Sequence, residues 1–349
     1  MADLFFTRAC SPSSAGNLAI KSDGGVDSGL AGGLRSGLGA SGSRLSDNEN
    51  LLLYNFLQQC KPPERKANRL YLEHATALVS VSNRVVDTLQ RAFNKYYGDN
   101  EPPESIYIVF IRIRASQVGS AAFHSAQKLA GKCGMSDADK FKHEFLFESA
   151  IPDDFVVHSV SIKTLLDRGL TLENFLVGRK LPRTGDLCHK MAYDMFRNDS
   201  DPEGVGLVLG FFARRFGARA PSSWIATQLF WDLIQGSPWE TLKDLGIPQS
   251  VKIVSRDGEP GHAALTFFSH VTDGIETCLD WWLLDNRFAL AFVEYERWRY
   301  EQLASILDAY TDLCSMIPSC GFELEIASLQ RKQRTFLAQV EAKAIEIGL

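Results

Sequence analysis

The sequence predicts an α+β protein, with a strand-rich N-terminal unit over residues 1–165 and an all-α helical unit over residues 166–349. Three observations carry that reading. Period-two alternation and β-branched runs recur up to about Thr164, long 3.6-residue periodicity replaces them afterwards, and all six tryptophans fall in the second half. The length of 349 residues suits two packed units, because single cores usually hold about 100–200 residues.

The first strand is Leu4–Ala9 (LFFTRA), closed by Ser/Pro/Gly turn signals at Ser11–Gly16. From residue 16 to residue 46 the composition collapses into Gly, Ser, Ala and Leu, which cannot offset the entropy of ordering unless it packs on something. That segment is a loop able to serve as a lid, or a linker. Asp47–Cys60 starts with Asp/Asn before apolar residues and predicts a helix. Leu70–Val81 is strand-like. Ser82–Tyr97 then lines Val85, Leu89, Ala92, Phe93 and Tyr97 along one helical face. Ile106–Ile113 (IYIVFIRI) is nearly continuous and β-branched, as a central strand is. Phe141–Pro152 and Asp154–Ile162 supply two more strands. Helices are predicted over Asp186–Arg197, Gly204–Phe216, Ser223–Gln235, Pro238–Leu245, Gly261–Leu284, Arg287–Met316 and Phe322–Ile347, with no solenoid period.

Composition narrows the classes. An apolar share of 45% and an aromatic share of 11% belong to a globular chain with a sizeable core. A net charge of −5 with mixed signs and no long basic block excludes a nucleic-acid footprint. Seven widely spaced cysteines show no CxxC pair or metal knuckle and read as mostly reduced thiols, with no metal site. No apolar run approaches the roughly 18 residues of a membrane span, and MADLFFTRAC lacks a basic n-region. As the sequence stands the expected compartment is cytoplasmic; a truncated N-terminus would make it a secreted protein instead.

One strand is oddly charged. In Phe141–Pro152 (FKHEFLFESAIP), alternation puts Lys142, Glu144, Leu146 and Glu148 on one face and Phe141, His143, Phe145 and Phe147 on the other. A solvated strand face explains the charges; Leu146 among them points instead to a cleft.

The order of elements also carries a resemblance. A strand ending in arginine (Thr7-Arg8-Ala9-Cys10-Ser11), a strand ending Ser80-Val81-Ser82, a β-branched strand, and a glutamate strand running into a proline turn (HEFLFESAIP) follow one another. The N-terminal half resembles the catalytic chain of the cholera and heat-labile enterotoxin family of ADP-ribosyltransferases. The resemblance implies an ADP-ribosyltransferase-like split β-sheet domain that consumes NAD and modifies a protein acceptor. It matches Arg8 to the family's NAD-binding arginine, Ser80 and Ser82 to its Ser-Thr-Ser strand, Glu144 to the catalytic second glutamate of Glu-x-Glu, and His74 to a histidine preceding the serine motif.

The chemistry suits those roles. A planar, permanently charged guanidinium holds a diphosphate through charge-assisted hydrogen bonds. Ser80 can hold the Glu144 carboxylate in place. Breaking the nicotinamide bond builds positive charge on a ribose, which a fixed carboxylate at Glu144 stabilises. His74 contacts the adenosine ribose or is structural, and Ser82 touches ligand or caps the following helix. His143 reads as structural. Lys142 stands where the family has its first glutamate, and a charged lysine cannot accept a hydrogen bond from an arginine acceptor. The resemblance therefore implies transfer to a residue other than arginine, hydrolysis of NAD alone, or a catalytically inactive interaction protein that kept the fold.

The helical half offers no nucleophile and base pair, phosphate loop or metal cluster. Trp281 and Trp282 read as bundle core, Arg214, Arg215 and Arg219 as a solvated helix end, and the amphipathic Gln330–Ile347 either binds a partner protein or closes the domain.

Overall fold

A computed structural model describes residues 2–14, 34–35, 48–60, 78–119, 121–197, 201–254, 262–316, 327–328, 330–332, 334–336 and 338–339. The architecture is α+β, a six-stranded antiparallel sheet with helices between its strands and a longer run of helices after it. The strands are β1 (Leu4–Cys10), β3 (Leu78–Ser82), β4 (Tyr107–Ile113), β5 (Phe123–Ser125), β6 (Glu144–Glu148) and β8 (Val156–Ser161), in spatial order β5-β6-β3-β1-β4-β8. A two-residue pair, β2 (Leu34–Arg35) with β7 (Ala150–Ile151), lies beside it.

The sheet is two blocks joined at a seam. β1 pairs with β4 along its whole length, from Leu4↔Ile113 to Cys10↔Tyr107, and β3 pairs with β6 from Leu78↔Glu148 to Ser82↔Glu144. Between β1 and β3 the ladder has a single register pair, Thr7↔Ser82. Thr7 is buried there and meets Thr88 of α2 (Val85–Tyr97) hydroxyl to hydroxyl at 2.7 Å.

Alternation separates two apolar layers. Phe6, Cys10, Val79, Val81, Val109, Ile111 and Phe147 face one side, where Phe6, Phe123, Phe145 and Phe147 meet ring against ring. On the other side, α1 (Glu49–Cys60) and α3 (Ala126–Lys132) cover Leu78 and Leu146 through Leu52, Phe56 and Leu129. α2 covers the β1-β4-β8 block on that same side, and the largest cluster runs onward from it. This cluster contains Val86, Phe93, Phe110, Leu165 of α4 (Ile162–Asp167), Leu187 of α5 (Thr184–Phe196) and Leu209 of α6 (Pro202–Arg214). It continues through Leu229 of α7 (Ser222–Gly236), Leu242 of α8 (Trp239–Asp244), Val251 of α9 (Gln249–Val254) and Val271 of α10 (His262–Met316). Phe5 of β1 stacks on Trp224 of α7 at 5.3 Å, so sheet and helices share this core.

The structure corrects several boundaries. Phe141 is not on a strand: it closes a 3-10 turn over Ala138–Phe141, Lys142 and His143 form a turn, and β6 begins at Glu144. The reason is local, since Lys140 N–H bonds Asp137 O and Lys142 N–H bonds Asp139 O while Phe141 packs edge-on to Phe56. The two helices expected over 261–284 and 287–316 are one unbroken helix of 55 residues, about 80 Å long. Trp282 does pack against the main core. The side chain of its neighbour Trp281, most of residues 16–46 and much of the segment Phe322–Ile347 expected to be helical lie outside what is described of the chain.

α6 and α10 pack backbone to backbone because glycines face each other. A Cβ on Gly206 would sit 2.2 Å from the Val271 carbonyl oxygen, and one on Gly274 would sit 2.1 Å from that of Glu203. No helix among the described residues is long and apolar enough to cross a membrane.

Candidate functional site at the sheet seam

Three of the residues singled out in the sequence meet at the seam. Ser80 donates its hydroxyl to Glu144 Oε1 at 2.5 Å, and Arg8 Nη1 donates to the carbonyl oxygen of the same Ser80. Elementary strand geometry explains both contacts. Ser80 is diagonal to Glu144 across the β3–β6 ladder, on the face that carries Leu146. Arg8 projects from the face carrying Phe6 and Cys10, and the β1–β3 ladder has stopped at Thr7↔Ser82. The Ser80 carbonyl therefore accepts from a guanidinium rather than from a strand amide. Arg8 and Glu144 are both partly exposed.

Other expected residues are not brought to that point. Ser82 is buried; its hydroxyl accepts from the Arg84 amide at 3.1 Å and donates to Asp87 Oδ2 at 3.2 Å, so it serves the start of α2. Lys142 is exposed in the turn before β6 rather than on a strand face beside Glu144. His74 lies outside the described residues. His143 donates through Nδ1 to Asn83 Oδ1 at 3.0 Å, while its carbonyl accepts from the Asn83 amide. Burial, then the nearby Arg84, pulls its pKa down to about 4, which fits a structural histidine.

Two polar groups were not singled out in the sequence. Glu148, at the far end of β6, is buried and bonds His124 Nε2 of β5 at 2.6 Å. β5 spans only Phe123–Ser125, too short for alternation to register. The other is Asp232 of α7, which is 1% exposed and reaches back to the N-terminus of α2. It accepts from the Val86 amide at 3.1 Å, Gln228 Nε2 at 2.9 Å and Arg84 Nε at 3.4 Å. Burial pushes its pKa up, to about 6, against the attraction of Arg84. In sequence it is one acid on an amphipathic helix; a partner 148 residues away gives it meaning.

Cys10, Cys60, Cys133, Cys188 and Cys278 are free thiols. Burial pushes Cys60 up to about 11 and Cys188 up to about 12, so neither is a ready nucleophile. Among the described residues no three metal-ligating side chains converge. Comparison with protein-family models, curated proteins and solved structures finds no match to this chain.

Proposed function

We propose that the seam is the active site of an NAD-dependent mono-ADP-ribosyltransferase or NAD glycohydrolase of the toxin or effector type. The observation that carries this reading is the convergence of Arg8 and Glu144 on Ser80, one through its carbonyl and the other through its hydroxyl. Arg8 donates one N–H to the Ser80 carbonyl, which fixes the place where its planar guanidinium would meet a diphosphate. Ser80 holds the Glu144 rotamer, so that the carboxylate meets developing charge without first reorganising.

The glycosidic carbon–nitrogen bond of NAD breaks and nicotinamide leaves with the bonding electrons. Glu144 stabilises the ribosyl cation, and a water or an acceptor nucleophile then closes on it. Lys142 supplies no carboxylate for an arginine acceptor, which favours water or a different side chain. The helical half recognises the acceptor protein or regulates the seam.

The test is incubation with labelled NAD, following nicotinamide release and label transfer. Glu144→Gln is expected to lower release at least about a hundredfold with its fold intact. Absence of NAD binding, nicotinamide release and transfer, with Glu144→Gln indistinguishable from wild type, would sink the enzyme reading. Binding without turnover would identify a catalytically inactive interaction protein.

A further inference from the structure

Four arginines gather at the C-terminal end of α6. Arg214 and Arg215 close that helix, Arg219 follows in the loop before α7, and Arg168 caps α4. Arg168 Nη1 donates to the Arg215 carbonyl at 3.1 Å. His158 of β8 donates Nε2–H to the Phe216 carbonyl at 2.9 Å, and the charges of Arg168 and Arg219 both act on its ring. Aromatic faces hold two of the forks: the Arg214 guanidinium lies 5.3 Å from the ring centroids of both Phe211 and Trp282, and that of Arg215 lies 6.0 Å from Phe212.

Among the described residues, none of the four forms an ion pair with a carboxylate. The dipole and free carbonyls of α6 account for Arg214 and Arg215 at its end. They do not account for Arg219, nor for the delivery of one sign of charge to one place by separate elements. Burial also lowers the pKa of Arg168 and of Arg215, with no acid among the described residues to offset it, a desolvation cost that a bound anion would relieve. Planar forks held on aromatic faces suit bidentate oxyanions better than single point charges.

We propose that Arg168, Arg214, Arg215 and Arg219 form a binding site for an anion carrying two or more phosphoryl groups. The site is distinct from the seam. β8 is two inter-strand steps, about 10 Å, from β1 with Arg8, and four steps, about 19 Å, from β6 with Glu144. The shared chemistry is clustered phosphoryl oxygens, supplied by a free polyphosphate or by a polyphosphorylated lipid headgroup.

Calorimetric titration of the full chain with inorganic tripolyphosphate tests this, beside flotation with phosphatidylcholine vesicles with and without a polyphosphorylated phosphoinositide. Binding that weakens with salt is expected. Joint Arg168→Gln and Arg219→Gln substitution should weaken it at least about tenfold, and the two lysine replacements less. Arg219 is exposed, so Arg219→Gln alone keeps the test open if the double variant unfolds. Capture by the phosphoinositide vesicles alone would support the headgroup source. Failure of both probes, binding that survives the glutamine substitutions, or binding abolished by Arg8→Gln would overturn the proposal.

Discussion

Replacing Asp232 by alanine is expected to destabilise the protein by about 4 kcal/mol, a large part of the roughly 5–15 kcal/mol that holds a domain folded. The magnitude follows from what the carboxylate touches. Its side chain is 1% exposed and that of Arg84 is 12% exposed, so truncation leaves a largely buried guanidinium with Asp87, 3.9 Å from its Nη1, as its remaining carboxylate. Loss of one partner of such a pair costs about 3–5 kcal/mol. The Val86 amide at the start of α2 loses its acceptor as well, which overlaps with that figure and adds at most about 1 kcal/mol. Asp232→Asn keeps an acceptor oxygen of the same shape and should cost about half as much. Urea denaturation at neutral pH, with unchanged slope, reads these differences. A double-mutant cycle with Arg84→Ala then isolates the pair, and a coupling of at least about 1 kcal/mol is expected. An Asp232→Ala variant within about 1 kcal/mol of wild type, or strict additivity with Arg84→Ala, would refute the reasoning.

Gly274→Ala and Gly206→Ala should each lower stability by about 1–2 kcal/mol, because overpacking against backbone outweighs the better helix propensity of alanine; Gly131→Ala, which meets nothing within 4 Å, should not lower it, as thermal melts will show. His158 gives an acid limb. Burial first, then Arg168 and Arg219, hold its folded pKa near 4, below the ordinary 6.5, so its contribution is present above 6.5 and is lost as pH falls toward 4. At about 1.4 kcal/mol per pH unit this approaches 3 kcal/mol, and His158→Gln should flatten the stability profile between those values. Ser80→Ala should cost about 1 kcal/mol of stability yet reduce nicotinamide release more than tenfold, since it frees Glu144 to reorient; equal small effects on both would remove Ser80 from its positioning role.

Legibility in the sequence followed periodicity. β1 and β4 were visible because apolar and β-branched runs fill them, and α2 because Val85, Leu89, Ala92 and Phe93 repeat every three to four residues. β5 and α9 were not, being three and six residues long, shorter than the window a period needs. The start of β6 was misplaced because Phe141 and Phe145 fit one alternation, although the first packs beneath α1 and the second against Phe6. Arg8, Ser80 and Glu144 could be named one by one from their motifs, but their meeting depends on a β1–β3 ladder that stops after one pair.

By itself the sequence determined the α+β fold class, with the longest run of helices in its second half, because local propensity and side-chain period are written in neighbouring residues. Tertiary structure alone decided the two-block sheet, the Arg84–Asp232 bond, the glycine contact of α6 with α10 and the arginine cluster around Phe216. Each of these joins residues tens to more than a hundred positions apart. Their energies come from burial and from electrostatics at short range, which chain order does not encode.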